Sequence, residues 1–252
     1  MPPLSVIQAA ALRRLLSLSL PAGATVLDAP CGAGQLVAAL VESGLNAFGA
    51  DLDTEAQAIL GDRFRTADLN GILPWPDASF DAVVSTEGIE HLENRFQFLR
   101  ELHRVLRKGS RLLLTTPNIV SLRSRVRFFG SGFFHRDSRP LNECAHHPLH
   151  HIGLATFSDL RYALHTSGFR LEHASATHSK AVSFLYAVLV PWMWVYTRVA
   201  FRKEKDPLQR ARNREIRRTL FSRHLLFGEN LLLIASKTDP DDQPGLRPSP
   251  LS

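Results

Sequence analysis

Three short strand-like runs that each reach an aspartate, the first apolar and followed by a glycine turn, set the strongest constraint on how this chain can fold. Residues 24–30 read ATVLDAP and run into CGAGQ, after which LVAALVESG has helical spacing. NAFGAD (46–51) closes on Asp51, and FRTADLN (64–70) carries Asp68. FDAVVSTEG (80–88) and RLLLTTPN (111–118) read as a fourth and a fifth strand, the latter stopped by Pro117. Between them, NRFQFLRELHRVLRKGS (94–110) is a strongly amphipathic helix whose Lys108-Gly109 pair is placed as its C-terminus. Strands alternating with helices predict an α/β fold: a doubly wound, mostly parallel sheet covered on both faces.

The flanking segments attach to this frame. Residues 4–18 read as a leading helix. After Asn118 the pattern changes: residues 119–156, with arginines, Phe-Gly pairs and five histidines, read as an insertion near the substrate side. FSDLRYALHTSGF (157–169) is a helix with Ser158 as expected N-cap and Gly168 near its end, and RLEHASATH (170–178) resumes strand character. Residues 181–201 are apolar apart from Arg198 and broken by Pro191; a basic helix is expected from about Pro207, and NLLLIASK (230–237) supplies a last strand. Residues 1–238 therefore read as one domain, with 181–224 an apolar and basic insertion and 239–252 of disordered-tail composition.

The net charge of +6 becomes informative once located. Residues 198–224 carry +7 and residues 119–140 carry +4, so the remainder is acidic at −5. Two late basic segments suit a phosphate-rich partner, either anionic lipid or nucleic acid, or else form two solvated helix faces. Two cysteines, Cys31 and Cys144, make no disulfide framework and fit a reducing cytoplasm. Arg13 and Arg14 interrupt what would be the apolar stretch of a signal peptide.

Glycines at 32 and 34 suit a turn that a ligand approaches closely, and the helix opening behind them offers unpaired N–H groups to a carboxylate. Asp51 stands where a carboxylate takes a pair of ribose hydroxyls, and Asp68 lies within reach of a base. Together VLDAPCGAGQL, FGADLD, ADLNGILPWPDASFDAVVSTEGIEHL and LLLTTPN resemble the class I S-adenosylmethionine-dependent methyltransferases. That resemblance implies seven strands with the last antiparallel. It implies that Asp28, Cys31, Gly32 and Gly34 frame the methionine end of the cofactor. Asp51 and Leu52 would then hold the ribose, Asp68 and Leu69 the adenine, with Glu87 at the pocket's border. Pro30 departs from the family, which usually has glycine there; proline tolerates the required φ, so a slightly altered loop is expected. The alternative is a dinucleotide-binding Rossmann domain.

STEGIEHL places Glu87, Glu90 and His91 at spacings that would set all three on one helical face, a donor set suited to Mg2+ or Mn2+. It resembles the Glu-x-x-Glu-His of ubiquinone-biosynthesis O-methyltransferases and of small-RNA 3′-terminal 2′-O-methyltransferases, which use a divalent ion. The RNA group adds a later histidine, for which His151 stands at a comparable position and His150 is the alternative. His135, His146 and His147 read as loop histidines. In a metal-free reading, the acid stabilises a helix start, and His91 or His151 acts as general base.

Residues 181–201 are long enough to span a bilayer, yet a single crossing would separate the last strand from its sheet. An in-plane membrane contact, a buried lid and an oligomer surface remain. Trp192, Trp194 and Tyr196 ahead of the basic run favour peripheral attachment through 181–202 at the inner face of the membrane. The expected activity is O-methylation of a small or membrane-associated acceptor, a lipid-linked glycan or a quinone-like phenol. The alternatives are RNA 2′-O-methylation and a catalytically silent scaffold that binds S-adenosylmethionine.

Overall fold

The computed structural model describes residues 3–135, 139–144, 147 and 149–238; His146 and the 239–252 tail fall outside them. The chain runs α1 (Val6–Leu16), β1 (Thr25–Asp28), α2 (Gln35–Glu42), β2 (Asn46–Asp51), α3 (Gln57–Leu60), β3 (Phe64–Thr66), β4 (Phe80–Thr86), α4 (Arg95–Val105) and β5 (Leu106–Pro117). It continues through α5 (Leu122–Ser131), α6 (Phe157–Thr166), β6 (Phe169–Ala176), a 3-10 segment (Ala181–Leu189), α7 (Val190–Phe201), α8 (Pro207–Leu220), α9 (Arg223–Phe227) and β7 (Asn230–Lys237). The seven strands form one sheet in the order β3-β2-β1-β4-β5-β7-β6, and β7 runs antiparallel to both neighbours.

Side-chain alternation builds the three layers. Val26, Ala82, Val84, Leu113, Leu232 and Ile234 face a core shared with Leu15 of α1 and Leu36 and Leu40 of α2. Their neighbours Leu27, Val83, Leu112, Leu114, Leu231 and Leu233 face the opposite core, closed by Phe98 and Leu102 of α4, Leu160 of α6 and Leu225 of α9. Each of these valine, leucine, isoleucine and phenylalanine side chains, once fully buried, contributes about 1.5–3 kcal/mol.

Four local expectations are corrected. The fourth helix ends at Val105, not at Lys108-Gly109: Leu106 turns extended, pairs with Phe80 and is fully buried, so sheet pairing overrides helix propensity. Gly109 instead takes φ +73° within the strand segment. The N-cap of α6 is Thr156, whose hydroxyl accepts from Asp159 N–H in a reciprocal capping box; Ser158 lies inside the helix. The third strand stops at Thr66, which leaves Asp68 in the turn beyond it. Residues 119–156 contain a regular helix, α5, capped by Ser121.

The direction of β7 decides where the insertions sit. Pro117, the last residue of β5, pairs with Asn230, the first of β7, and Ala176 at the end of β6 pairs with Leu231. So α5 and the whole of residues 177–229 leave the sheet at the edge formed by the carboxyl ends of the parallel strands. A bridge between Ser179 and Gly228, with Glu229 N–H donating to His178 O at 2.9 Å, draws both ends of the insertion together at its neck. Nothing in that arrangement carries β7 away from the sheet.

Candidate functional site

Strand order reverses between β1 and β4, and ligands in open α/β sheets enter at the carboxyl ends of strands at such a point. A cleft of about 520 Å³ opens there, a size suited to a small organic ligand. Cys31, Gly32, Asp51, Leu52, Asp68, Leu69, Glu87 and His91 all line it.

The loop after β1 is held from below and from the side. Cys31 N–H donates to Ala50 O at 3.0 Å, and Gly32 N–H to Asp51 Oδ2 at 2.8 Å. Asp51 Oδ1 accepts from Asp53 N–H at 3.0 Å, so the carboxylate is oriented by two backbone donors. Gly32 has φ +51°, and a Cβ added there would meet no protein atom within 4 Å. Gly34, at φ +84°, caps α2, and a Cβ on it would press on Leu60 at 3.0 Å. The two glycines thus serve different ends: Gly32 leaves room over the backbone, whereas Gly34 permits helix–loop packing, and it is not on the cleft wall. The Ala29–Pro30 bond is cis, and a Cβ on Gly88 would overlap the Pro30 ring, so the proline loop is accommodated by glycine on the facing turn.

Asp28 departs from its expected place. It is fully buried beneath the loop, outside the cleft lining, and neither carboxyl oxygen has a partner among the described residues. Burial, and then the charge of Asp51, push its pKa well above the ordinary carboxylate range. Burial likewise pushes the Cys31 thiol up, which makes it a packing group and no nucleophile. Asp68 Oδ1 accepts from both the backbone and side-chain N–H groups of Asn70 at 2.9 and 3.1 Å, while Asn70 Oδ1 takes the N–H groups of Glu93 and Asn94. Asn70 therefore ties the turn after β3 to the start of α4.

Glu87, Glu90 and His91 do not share one helical face. Glu87 sits just past β4 at φ +51°, a left-handed conformation that costs a non-glycine residue about 1–2 kcal/mol. Its N–H is taken by Thr115, and its Oε2 accepts from Asn230 Nδ2 at 2.7 Å. Glu90 and His91 belong to a 3-10 turn, Ile89–His91. Glu90 is fully buried, its Oε2 accepting from Thr116 Oγ1 at 2.9 Å.

The loop bearing the later histidines is clamped onto this turn. Gly153 N–H donates to Glu90 O at 2.8 Å, and a Cβ on Gly153 would crowd the carbonyls of Ile89, Glu90 and Leu92. His91 Nδ1 lies 3.2 Å from His150 O; a carbonyl only accepts, so Nδ1 carries the proton and Nε2 is the ring's acceptor. Burial lowers the His91 pKa, with the carbonyls of His150 and Leu149 opposing. The rings of His91 and His151 are 4.9 Å apart, and ligand atoms of Glu90, His91 and His151 all lie within 4.8 Å of one another. Glu87 is outside that group, its carboxylate being turned to Asn230. His147 and His150 rim the cleft.

Sequence reasoning missed Gln8, Asn70 and Asn230. Gln8 of α1 lines the cleft and completes the capping box with Ser5, a Ser-x-x-Gln spacing visible in the sequence. Asn70 follows Asp68 in a polar turn and was legible in principle. The Asn230–Glu87 contact joins residues 143 positions apart and has no local signal.

A methyltransferase-domain family matches residues 27–114. A probable S-adenosylmethionine-dependent methyltransferase of Mycolicibacterium smegmatis is 36% identical over 155 residues, covering 60% of this chain and 54% of that protein. The 27-O-demethylrifamycin SV methyltransferase of Amycolatopsis mediterranei is 32% identical over 133 residues, covering 46% and 49%. The chain spans about half the length of these curated relatives. Among solved structures, the 1,6-didemethyltoxoflavin-N1-methyltransferase of Burkholderia thailandensis, with bound 1,6-didemethyltoxoflavin and S-adenosylhomocysteine, superposes with a TM-score of 0.53 at 16% identity, over 93% of this chain and 79% of that one. Residues 27–114 match the methyltransferase-domain family, and the seven-stranded sheet built around them has the class I S-adenosylmethionine-dependent methyltransferase fold.

Proposed function

We propose that this chain is an S-adenosylmethionine-dependent methyltransferase acting on an oxygen of a membrane-associated acceptor, a lipid-linked glycan or a quinone-like phenol. The observation that carries the cofactor reading is the Gly32–Asp51 pair: open space over a left-handed glycine, beside a carboxylate already oriented by two backbone donors. Asp51 with Leu52 would take the ribose hydroxyls, and Asp68 with Leu69 the adenine. Gly32 would lie against the methionine end, with Glu87 on the same wall. When bound, the donor supplies a sulfonium methyl as electrophile. The protein's share is to hold the acceptor hydroxyl in line and to accept its proton. His91 Nε2 is the acceptor atom for that proton, because Nδ1 is committed to His150 O. His151, whose ring is tilted against that of His91 at 4.9 Å, is the second candidate base.

A divalent ion is a finer reading of the same corner. Donor atoms on one ion at 2.0–2.1 Å span at most about 4.2 Å, and Glu90, His91 and His151 fall within 4.8 Å, so small side-chain movements would suffice. Those three residues, without Glu87, would hold Mg2+ or Mn2+; His91 would then be a ligand and not the base, and the ion would instead lower the acceptor hydroxyl's pKa.

The membrane reading is supported by Ala181–Phe201, the segment among the described residues long and apolar enough to cross a bilayer, none of whose hydrophobic window is buried. A buried lid or core helix would have to be covered, so that alternative is set aside. The segment leaves the sheet at the cleft's own edge, which would bring an acceptor embedded in the cytoplasmic leaflet to the methyl donor. The arginines of α8 favour the second reading, RNA 2′-O-methylation.

The test is transfer of label from methyl-labelled S-adenosylmethionine into a fractionated host extract, with and without chelator. The proposal expects label in the organic-extractable membrane fraction; label confined to RNA would replace it with the second reading. Transfer unchanged by the chelator would remove the ion from the account.

A further inference from the structure

The apolar segment does not stand alone on its edge of the molecule. Trp192, Tyr196 and Val188 project from it, 66%, 67% and 79% exposed. Beside it α5 presents Phe129, 95% exposed. On the other flank α8 packs against α7, and between them lies a cleft of about 340 Å³. Arg198 and Arg202 line it from the α7 side, and Arg210, Asn213, Arg214 and Arg217 from α8.

Five guanidinium groups around one cavity repel each other, and none of the five has a carboxylate partner among the described residues. Two of them are held in place: Arg198 and Arg217 lie 5.2 and 6.0 Å from the Trp194 ring centre. Stacking on an aromatic face directs a guanidinium while leaving its N–H edge to an anion. Guanidinium forks match phosphate oxygens, and Asn213 adds an amide donor. Ile216 and Leu220 are the α8 side chains that pack on the core, while Arg198, Arg202, Arg210 and Arg214 are exposed and Arg217 is half-buried.

We propose that the α7–α8 cleft is a binding site for the phosphate headgroup of an anionic phospholipid, engaged while the exposed face of residues 181–201 enters the acyl region. The inference rests on the membrane reading above and adds to it a defined polar site and a lipid charge preference. Lipid is favoured over RNA because one helix, α7, carries Arg198 of the cleft together with the exposed Trp192, Tyr196 and Val199, and so presents a cation and apolar groups side by side along its length. Such a surface suits an interface with an apolar interior. Nucleic acid would leave those aliphatic groups in water.

The test is co-sedimentation of the full chain with vesicles of pure phosphatidylcholine, or of phosphatidylcholine containing one third phosphatidylglycerol. A short RNA and inorganic phosphate serve as competitors. Each arginine near an anionic surface contributes about fivefold in affinity, so R214Q with R217Q should weaken binding to the anionic vesicles about thirtyfold. Binding to neutral vesicles should be unchanged, and W192S with Y196S should weaken binding to both. These positions are surface-exposed or half-buried, and an unchanged melting temperature confirms that the variants fold. If wild type and the arginine variant bind anionic vesicles equally, the phosphate site is refuted and the membrane contact stands. If neither vesicle is bound, both fall. Preferential capture of RNA, or of inorganic phosphate without vesicle binding, would also overturn the lipid assignment.

Discussion

Gly32→Ala separates a structural glycine from a ligand-contacting one. The new Cβ meets no protein atom within 4 Å, so the only intrinsic cost is the left-handed conformation at φ +51°. That cost is about 1–2 kcal/mol, which for a chain of this size lowers Tm by about 2–8 °C. Gly44→Ala is the matched control: φ is +84°, a Cβ again meets nothing, and Gly44 is not on the cleft wall. The two variants should therefore lose similar stability. Their affinities for S-adenosylhomocysteine should diverge, because the space over Gly32 is where the ligand would lie. Loss of at least tenfold, about 1.4 kcal/mol, is expected for Gly32→Ala and none for Gly44→Ala. Gly34→Ala should be the least stable of the three, since its Cβ presses on Leu60 at 3.0 Å and overpacking adds about 1–3 kcal/mol. Calorimetric titration beside thermal denaturation reads both quantities. Cofactor affinity in Gly32→Ala equal to that of Gly44→Ala would refute the placement.

Asn230→Ala removes the 2.7 Å donor to Glu87 and should cost about 1.5–3 kcal/mol, with turnover falling as Glu87 loses its position; equal denaturant midpoints would show the bond to be idle. Replacing His91 or His151 by Asn should depress turnover while leaving S-adenosylhomocysteine affinity nearly intact, and a large affinity loss would rule out a proton-accepting role. The Arg104 guanidinium, hydrogen-bonded to Glu101, holds that buried carboxyl below its ordinary range, with Leu73 N–H assisting. A pKa depressed on folding gives stability that is fully present above the unfolded pKa, near 4.5, and lost as pH falls through the folded value. Glu101→Gln should therefore be less stable than wild type at neutral pH, with the gap closing on acidification; a gap that widens in acid would contradict the pairing.

Strands β1, β4 and β7 were legible because each carries a run of buried aliphatic residues with a polar stop, whereas β2, with only Ala47 and Ala50 in that role, was marked by its closing Asp51. What was lost depended on tertiary contact. Leu106 leaves a good helix because Phe80 pairs with it, and no local pattern announces that. Spacing alone put Glu87 with Glu90 and His91, but the left-handed turn at Glu87 directs it to Asn230 and leaves the 3-10 turn to meet His151. Asp28 has the sequence position of a ligand residue, yet it lies under the loop rather than on the cleft wall. Asp51 and Asp68 both line the cleft, because Asp51 closes β2 and Asp68 stands in the turn just beyond β3, at the carboxyl edge of the parallel strands.

The measurement closest to the central claim is a calorimetric titration of S-adenosylhomocysteine into the wild-type chain and into Asp51→Asn. Asp51 accepts from Gly32 and Asp53 N–H and faces the cleft where ribose hydroxyls would sit. One equivalent bound by wild type, and binding weakened at least tenfold in the variant at unchanged Tm, is the predicted result. No saturable binding to wild type, or equal affinity in both, would contradict the assignment of this cleft to the methyl donor.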